Sequence, residues 1–277
     1  MFYLILAILC SSSLSIFTRM SEKTVKNNYS LLAVNYMACL LLAIFNTGIK
    51  NFFIQEEGMF FTIVLGIING FLYLYSLILL QKNIKNNGII LTSLFNKLGI
   101  LIPVLMSILL FHEIPTILQI TGIVIAIIAI IYMNYNKNEL NKINFSLLYM
   151  LLMAGITDSM SKIFEEFGNP VLSDQFLLYT FSSALIFCMI VVFVNKQRFT
   201  LEEIKYGLCM GIPNYLSSKF LLLALHQILA VIVYPTFSVG TIITITLAGL
   251  LLFKEKMTMI QVIAMIAIMI SLVLLNL

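Results

Sequence analysis

Residues 91–134 laid under residues 233–276 show one pattern twice, at a constant offset of 142. Leu109-Leu110-Phe111-His112-Glu113 returns as Leu251-Leu252-Phe253-Lys254-Glu255, Gln119 returns as Gln261, and Asn134 returns as Asn276. Upstream, with one residue of slip, Gly66-Ile67-Ile68-Asn69-Gly70 meets Gly207-Leu208-Cys209-Met210-Gly211 at an offset of 141. A tandem duplication of this length constrains the chain to two units of like architecture. It also points toward membrane transport, where internal repeats recur.

Composition decides the solvent. Hydrophobic residues make up 61% of the chain, charged residues 10%, and the mean hydropathy is +1.06. Soluble domains carry about 25% charged residues. The chain therefore belongs in a lipid bilayer. Its net charge of +4 comes almost wholly from short loops and bears on orientation; no nucleic-acid partner is expected. Cys10, Cys39, Cys188 and Cys209 each stand alone in an apolar run and read as small buried hydrophobes. No metal site and no cofactor is expected.

Ten apolar stretches approach the ~20 residues that a bilayer core requires. They run near Phe2 to Thr18, Ser30 to Ile49, Met59 to Leu80, Gly88 to Phe111, Pro115 to Met133, Phe145 to Ile163, Val171 to Val194, Lys205 to Leu225, Leu229 to Phe253 and Met257 to Asn276. The first lacks the basic n-region of a signal peptide and reads as a spanning helix. The runs do not alternate as barrel strands do, and open sheet edges cannot lie in lipid, which leaves helices. The predicted class is all-α: a polytopic membrane protein with ten transmembrane helices in two five-helix repeats. The first repeat covers residues 1–136, a connecting loop 137–144, and the second repeat 145–277.

Five helices per repeat is an odd number, so the second copy enters the membrane from the opposite side. The predicted repeats are therefore inverted. Loop charge points the same way. Arg19, Lys23 and Lys26 follow helix 1, whereas Glu165, Glu166 and Asp174 follow helix 6; Lys82 and Lys85 follow helix 3, whereas His226 follows helix 8. The bias reverses elsewhere, with Lys50 after helix 2 against Lys196, Arg198 and Lys205 after helix 7, and none after helix 4 against Lys254 and Lys256 after helix 9. With Lys137 and Lys142 between the halves, odd-numbered loops hold twelve basic residues and even-numbered loops one. The positive-inside rule then puts the odd loops in the cytoplasm and both termini outside.

Ten helices in two inverted halves, with Glu113 and Glu255 closing helices 4 and 9 and Gln119 and Gln261 in the first turns of helices 5 and 10, resemble the EamA-like branch of the drug/metabolite transporter superfamily. The resemblance spans the whole chain, and Gly122 also matches. The chain departs from the family pattern where His112 and Lys254 replace the glycine before each Glu, where Ala264 replaces a later glycine, and in having no tryptophan. The resemblance implies cytoplasmic termini, the opposite of the charge count. It also implies a cavity lined by helices 1, 3, 4, 6, 8 and 9.

Polar residues fall on that same set. Ser11, Ser12 and Ser15 are in helix 1; Asn69, Tyr73 and Ser76 in helix 3; Thr92, Ser93 and Asn96 in helix 4; Thr157 and Ser159 in helix 6. Helix 8 has Asn214, Tyr215, Ser217 and Ser218, and helix 9 has Thr236, Ser238, Thr241 and Thr244. Singly, such residues are common packing glue between membrane helices. Helices 5 and 10 are nearly pure hydrocarbon past their first turns and are expected to face lipid or pack the halves together.

Charges within spans are the sharper signal, since each costs at least ~3 kcal/mol at mid-membrane. There are four: Lys97, Asp158, Lys162 and Lys219. Lys97 lies nine residues into the predicted helix 4, ~14 Å deep, and has no acid at i±3 or i±4. Asp158 and Lys219 are expected at one level, ~20 Å from the same face. Asp158 and Lys162, spaced i, i+4, could instead pair within helix 6, and Lys162 and Lys219 could snorkel toward their helix ends. The substrate-binding candidates are Lys97, Asp158, Lys219, Asn96, Ser93, Tyr73, Ser15, Tyr215, Ser218 and Thr241. Lys97 would meet an anionic group, and Asp158 a coupling proton or a substrate ammonium.

Other signals are structural. Gly66/Gly70 and Gly207/Gly211 would let helices 3 and 8 pack closely on a neighbour. Pro103, Pro213 and Pro235 would kink their helices. Glu113 with Pro115, and Glu255 near Thr258, read as starts of helices 5 and 10. No H-E-x-x-H, P-loop or G-x-S-x-G motif occurs, so no enzyme is expected. The expectation is a carrier, secondary-active or exchange, for a small polar or amphipathic organic solute, metabolite or amino-acid-like, working by alternating access in the cell membrane. A passive channel and a non-transporting scaffold are the alternatives. The expected partners are the small-molecule substrate, the bilayer and a second copy in a homodimer.

Overall fold

The structure is a computed structural model and describes residues 1–48, 51–103, 106, 116–134, 145–225, 227 and 230–274. Among these residues the chain forms ten α-helices and no strand. They are α1 (Phe2–Ser21), α2 (Asn28–Thr47), α3 (Met59–Asn87), α4 (Ile89–Leu98), α5 (Ile117–Asn134), α6 (Phe145–Phe167), α7 (Ser173–Val194), α8 (Leu201–Leu225), α9 (Ala230–Leu251) and α10 (Met259–Leu274). By length and composition α1, α2, α3, α6, α7 and α8 can each cross a membrane, and shorter apolar helices accompany them. The outer face carries large apolar side chains, among them Phe45, Phe60, Phe71, Ile186 and Phe193, each more than half exposed. Such a surface is stable only where lipid covers it. This is a multi-pass membrane protein.

Several helices run further than hydropathy alone marks. Lys82 and Lys85 occupy the last turns of α3, Arg19 the last turn of α1, Glu165 and Glu166 the end of α6, and Lys205 the start of α8. Backbone hydrogen bonding continues past the apolar run, so these charges ride on helix ends and not on free loops. Helix 4 carries an interruption. The span predicted from Gly88 to Phe111 is helical only to Leu98, turns at Gly99 and Ile100, and resumes over residues 101–103. At the break, a Cβ on Gly99 would lie 2.8 Å from the Gly155 backbone N, and one on Gly155 would lie 2.4 Å from the Gly99 O. Two backbones touch there, so neither position tolerates a side chain.

The principal pairings are α1 with α8 and α9, α6 with α3 and α4, α2 with α7 and α8, α7 with α3, α4 with α9, and α5 with α10. Exchanging each helix for the one five places away returns this same set. The glycine seams serve it. Gly66 and Gly70 of α3 sit against Tyr179, Thr180 and Ser183 of α7, and Gly207 and Gly211 of α8 against Val34, Asn35 and Ala38 of α2. α5 and α10 meet through buried Ala126, Ala129, Ala264 and Ile268, with the Ser271 hydroxyl donating to the Gly122 carbonyl at 2.7 Å. Their other faces expose Ile120, Ile128, Ile263 and Ile270 by about half.

Cross-chain caps gather the odd-numbered connections at one end. The Gln197 Oε1 accepts from the N–H groups of Tyr29 (2.9 Å) and Ser30 (3.1 Å) at the start of α2. Glu203 accepts from the Asn27 N–H (3.1 Å) and, at its own helix start, from the Thr200 N–H (2.9 Å). Even-numbered connections meet at the other end, where Gln175 donates to the Asn51 O (3.2 Å) and Tyr179 to the Phe52 O (2.6 Å). The two repeated glutamines also find their reason. Thr116 with Gln119, and Thr258 with Gln261, form reciprocal capping boxes at the starts of α5 and α10. Glu113, Pro115, Lys50, His112, His226, Lys137 and Lys142 lie outside the described residues.

Candidate functional site

The contact of Gly99 with Gly155 fixes the level of the site. Lys97 stands two residues before the first glycine and Asp158 three after the second; α4 and α6 run the same way, so the base and the acid are offset by about 7.5 Å along the helices, on either side of that contact. Both line a cavity of about 130 Å³. Its walls come from α1 (Ser11, Leu14, Ser15), α3 (Tyr73, Ser76, Leu77, Leu80), α4 (Ser93, Asn96), α6 (Ala154, Thr157), α8 (Asn214, Ser217, Ser218, Leu221) and α9 (Phe237, Ile245). Residues of this kind leave a polar interior in a molecule whose outside is hydrocarbon.

Lys97 donates from Nζ to the Ser11 Oγ at 3.2 Å and stands 4.1 Å from the centre of the Phe237 ring. A hydroxyl and a ring face are weak company for a half-buried ammonium inside a membrane span. Asp158 is the charged neighbour of Lys97 across the cavity, yet they form no ion pair within 4.0 Å. The exposed surface of Asp158 opens into the space that it lines. Tyr73 and Ser218 join their hydroxyls at 2.9 Å, and the Ser93 hydroxyl is buried without a partner. The cavity thus holds a separated pair of opposite charges with uncommitted polar atoms around it.

Of the residues singled out from sequence, Lys97, Asp158, Asn96, Ser93, Tyr73, Ser15 and Ser218 line this cavity. Three do not. Lys219 reaches away, to the Asn46 Oδ1 at 2.5 Å and the Asp174 Oδ1 at 3.4 Å, near the even-loop end. α8 begins at Leu201, four residues before the predicted start, so Lys219 lies nearer the even-loop end than expected, and its azimuth, which sequence position does not fix, turns it away from the cavity. Tyr215 is fully buried, its ring 5.8 Å from that of Phe181 in the helix core. Thr241 is fully buried and returns its hydroxyl to the Phe237 carbonyl at 2.5 Å. The Asp158–Lys162 pairing is also corrected: Lys162 meets Glu165 (3.9 Å) and Glu166 (3.7 Å) at the helix end, which frees Asp158 for the cavity. Cys39 and Cys188 are buried as expected, whereas Cys10 and Cys209 are half-buried.

Sequence reasoning did not single out Phe237, whose ring looks like any other core aromatic until Lys97 is placed beneath it. It also misplaced Glu255. Lys254 adopts φ 52 and turns the chain after α9, which aims the Glu255 side chain at α4 and away from α10. Its two carboxylate oxygens accept from the N–H groups of Ile89 (3.0 Å) and Ile90 (3.2 Å). Arg19 Nη2 meets the same carboxylate at 3.2 Å, and Arg19 Nη1 reaches Glu22 (2.5 Å) and the Ile84 O (3.3 Å). Burial pushes the Glu22 carboxyl up, against the lowering pull of Arg19. Gly88, at φ 80, lies so close that a Cβ would come within 2.9 Å of this carboxylate.

Residues 141–277 match the EamA-like transporter family. This half of the chain belongs to that family. Over 270 residues, 92% of this chain and 90% of the other, the protein is 23% identical to an uncharacterised protein of Haemophilus influenzae. A solved crystal structure superposes with a TM-score of 0.66 at 13% identity, covering 99% of this chain and 94% of that one, which shows a shared fold. In the EamA-like half, Lys254 stands where the family pattern has a glycine, and its left-handed backbone explains why glycine suits that place. The chain is a membrane protein of the drug/metabolite transporter type. Among the described residues no cluster of three or more His, Cys, Asp or Glu side chains is placed to hold a metal.

Proposed function

We propose that the chain is an alternating-access carrier, secondary-active or exchange, for a small polar or amphipathic organic solute of metabolite or amino-acid-like character. In this reading residues 1–136 and 145–277 are inverted five-helix halves joined by 137–144, and the site lies between them. The five-place exchange of helix pairings supports the two-halves reading. One observation carries the functional reading: Lys97 and Asp158 face one cavity, neutralise each other only at a distance, and have no close charged partner among the described residues. Each costs free energy at this depth unless a ligand or water completes it. A solute with a carboxylate and an ammonium completes both at once. Lys97 takes the anionic end and Asp158 the cationic end or a coupling proton, with Ser11, Ser93, Asn96, Tyr73 and Ser218 supplying hydrogen bonds.

With no nucleotide-binding loop in the sequence, a proton or solute gradient is the energy source, and the protein catalyses no chemistry. In a plasma membrane, the twelve-to-one charge count favours cytoplasmic odd loops over the cytoplasmic termini that the family resemblance implies. Counterflow tests the reading. Vesicles preloaded with a panel of amino acids show trans-stimulated uptake if the protein is a carrier; unaltered equilibration identifies a channel, and no flux identifies a scaffold.

A further inference from the structure

α4 is a short rod between two glycines. Gly88, at φ 80, precedes its first residue, and at Gly99, whose backbone stays right-handed, the α-helical bonding gives way to a tighter turn with its N–H on the Asn96 O (3.2 Å). One end of the rod is held by Glu255, whose carboxylate caps Ile89 and Ile90 and is itself held by Arg19. The other end carries Lys97 into the cavity. Lys97 stands eight residues on from Ile89, a reach of about 12 Å. Movement at the capped end must therefore carry Ser93, Asn96 and Lys97 with it.

The cap also sits on a boundary. Beyond it toward the odd loops lies a second cavity of about 290 Å³, lined by Thr18, Ser21, Glu22, Lys26, Gln81 and Lys85 among others. α1 runs past both spaces, with Ser11 and Ser15 in the central one and Thr18 and Glu22 in the outer one. Arg19 lies between. It draws together the ends of α1 and α3, the start of α4 and the turn after α9, so elements from both halves of the chain meet at one guanidinium.

We propose that the Arg19–Glu22–Glu255 cluster is a latch that closes the central cavity toward the odd-numbered loops and, through α4, sets the position of Lys97. Closed, it shuts the path between the two cavities. Released, it lets α4 pivot on Gly88 and Gly99, and the path opens with Lys97 displaced from Ser11 and the Phe237 ring. The latch rests on the carrier reading for its purpose, but its test needs no solute.

In a background with Cys10, Cys39, Cys188 and Cys209 replaced by serine, Ser93→Cys is labelled in sealed vesicles by a membrane-impermeant maleimide added from either face. Arg19→Gln or Glu255→Gln should speed labelling from the odd-loop face roughly 5-fold or more. Lys23→Gln, which removes a nearby exposed charge outside the cluster, should leave it unchanged. Glu255→Gln keeps an oxygen for the α4 N–H groups and so guards against simple loss of fold. Unchanged labelling in both monodisperse variants overturns the latch, as does an equal rise from both faces. Faster one-sided labelling without counterflow upholds the latch and removes the carrier reading. Counterflow with unchanged labelling does the reverse.

Discussion

The same turn occurs twice at the odd-loop end of the molecule and is put to two uses. Lys196, at φ 49, ends α7 and Lys254, at φ 52, ends α9; in each case the next side chain crosses to another helix and caps its N-terminus. After Lys196 the cap is Gln197, neutral, placed on α2 in the tight seam with α7 and α8. After Lys254 the cap is Glu255, charged, placed on α4 and tied to Arg19. α2 runs unbroken over Asn28–Thr47 and lines no part of the central cavity, whereas α4 ends at Leu98 and carries Lys97. The Gln197 amide shares the start of α2 with the Glu203 carboxylate, which accepts from the Asn27 N–H and, among the described residues, forms no ion pair with an arginine. A carboxylate with an arginine can be broken and remade at the site's edge, because its energy is electrostatic and depends on what else approaches.

Substitutions at the far end of α4 and across from it should break this contrast most severely. Asp158→Asn is expected to abolish gradient-driven accumulation while sparing exchange, since an amide fills the space but cannot titrate. Accumulation at the wild-type level would end the proton role, and loss of folded protein would make the residue structural. Lys97→Met should leave monodispersity near wild type and raise the half-saturation concentration for an anionic or zwitterionic solute about 10-fold or more, the loss of a charge-assisted hydrogen bond of ~1.5–3 kcal/mol. A half-saturation within roughly twofold of wild type would remove Lys97 from the binding site.

Gln197→Ala sharpens the other side of the comparison. It should lower stability by ~0.5–2 kcal/mol, as a lost cap does, with the half-saturation concentration unmoved. Thermal unfolding and counterflow on one preparation separate the two effects, and a transport defect in a fully folded variant would show that the neutral cap also moves. Lys196→Gly and Lys254→Gly relieve a left-handed backbone that costs a side chain roughly 1 kcal/mol. Both should unfold at a slightly higher temperature, and a drop in either would mean the lysine side chain holds the turn. The smallest effect belongs to Lys219→Met. Its partner Asp174 is 42% exposed and the pair sits at the edge, so the change should cost under about 1 kcal/mol and leave transport intact.

The sequence by itself determined a duplicated all-helical membrane chain, because a repeat and a hydropathy pattern are properties of composition and order. It also located the cavity's helices and most of its polar lining, since a charge retained mid-span must meet something polar. The tertiary structure decided which way each side chain turns. Lys97 and Lys219 look alike along the chain, both within apolar helices, but one turns into the cavity to Ser11 and Phe237, while the other lies near the even-loop end and turns to Asn46 and Asp174. Position in a span gives depth once the helix start is known; packing of small residues such as Gly99 on Gly155 gives azimuth, and no periodicity read from one helix contains its neighbour. Glu255 shows the same limit. Its sequence neighbours mark the start of α10, while a left-handed lysine sends its carboxylate to a helix 166 residues earlier in the chain.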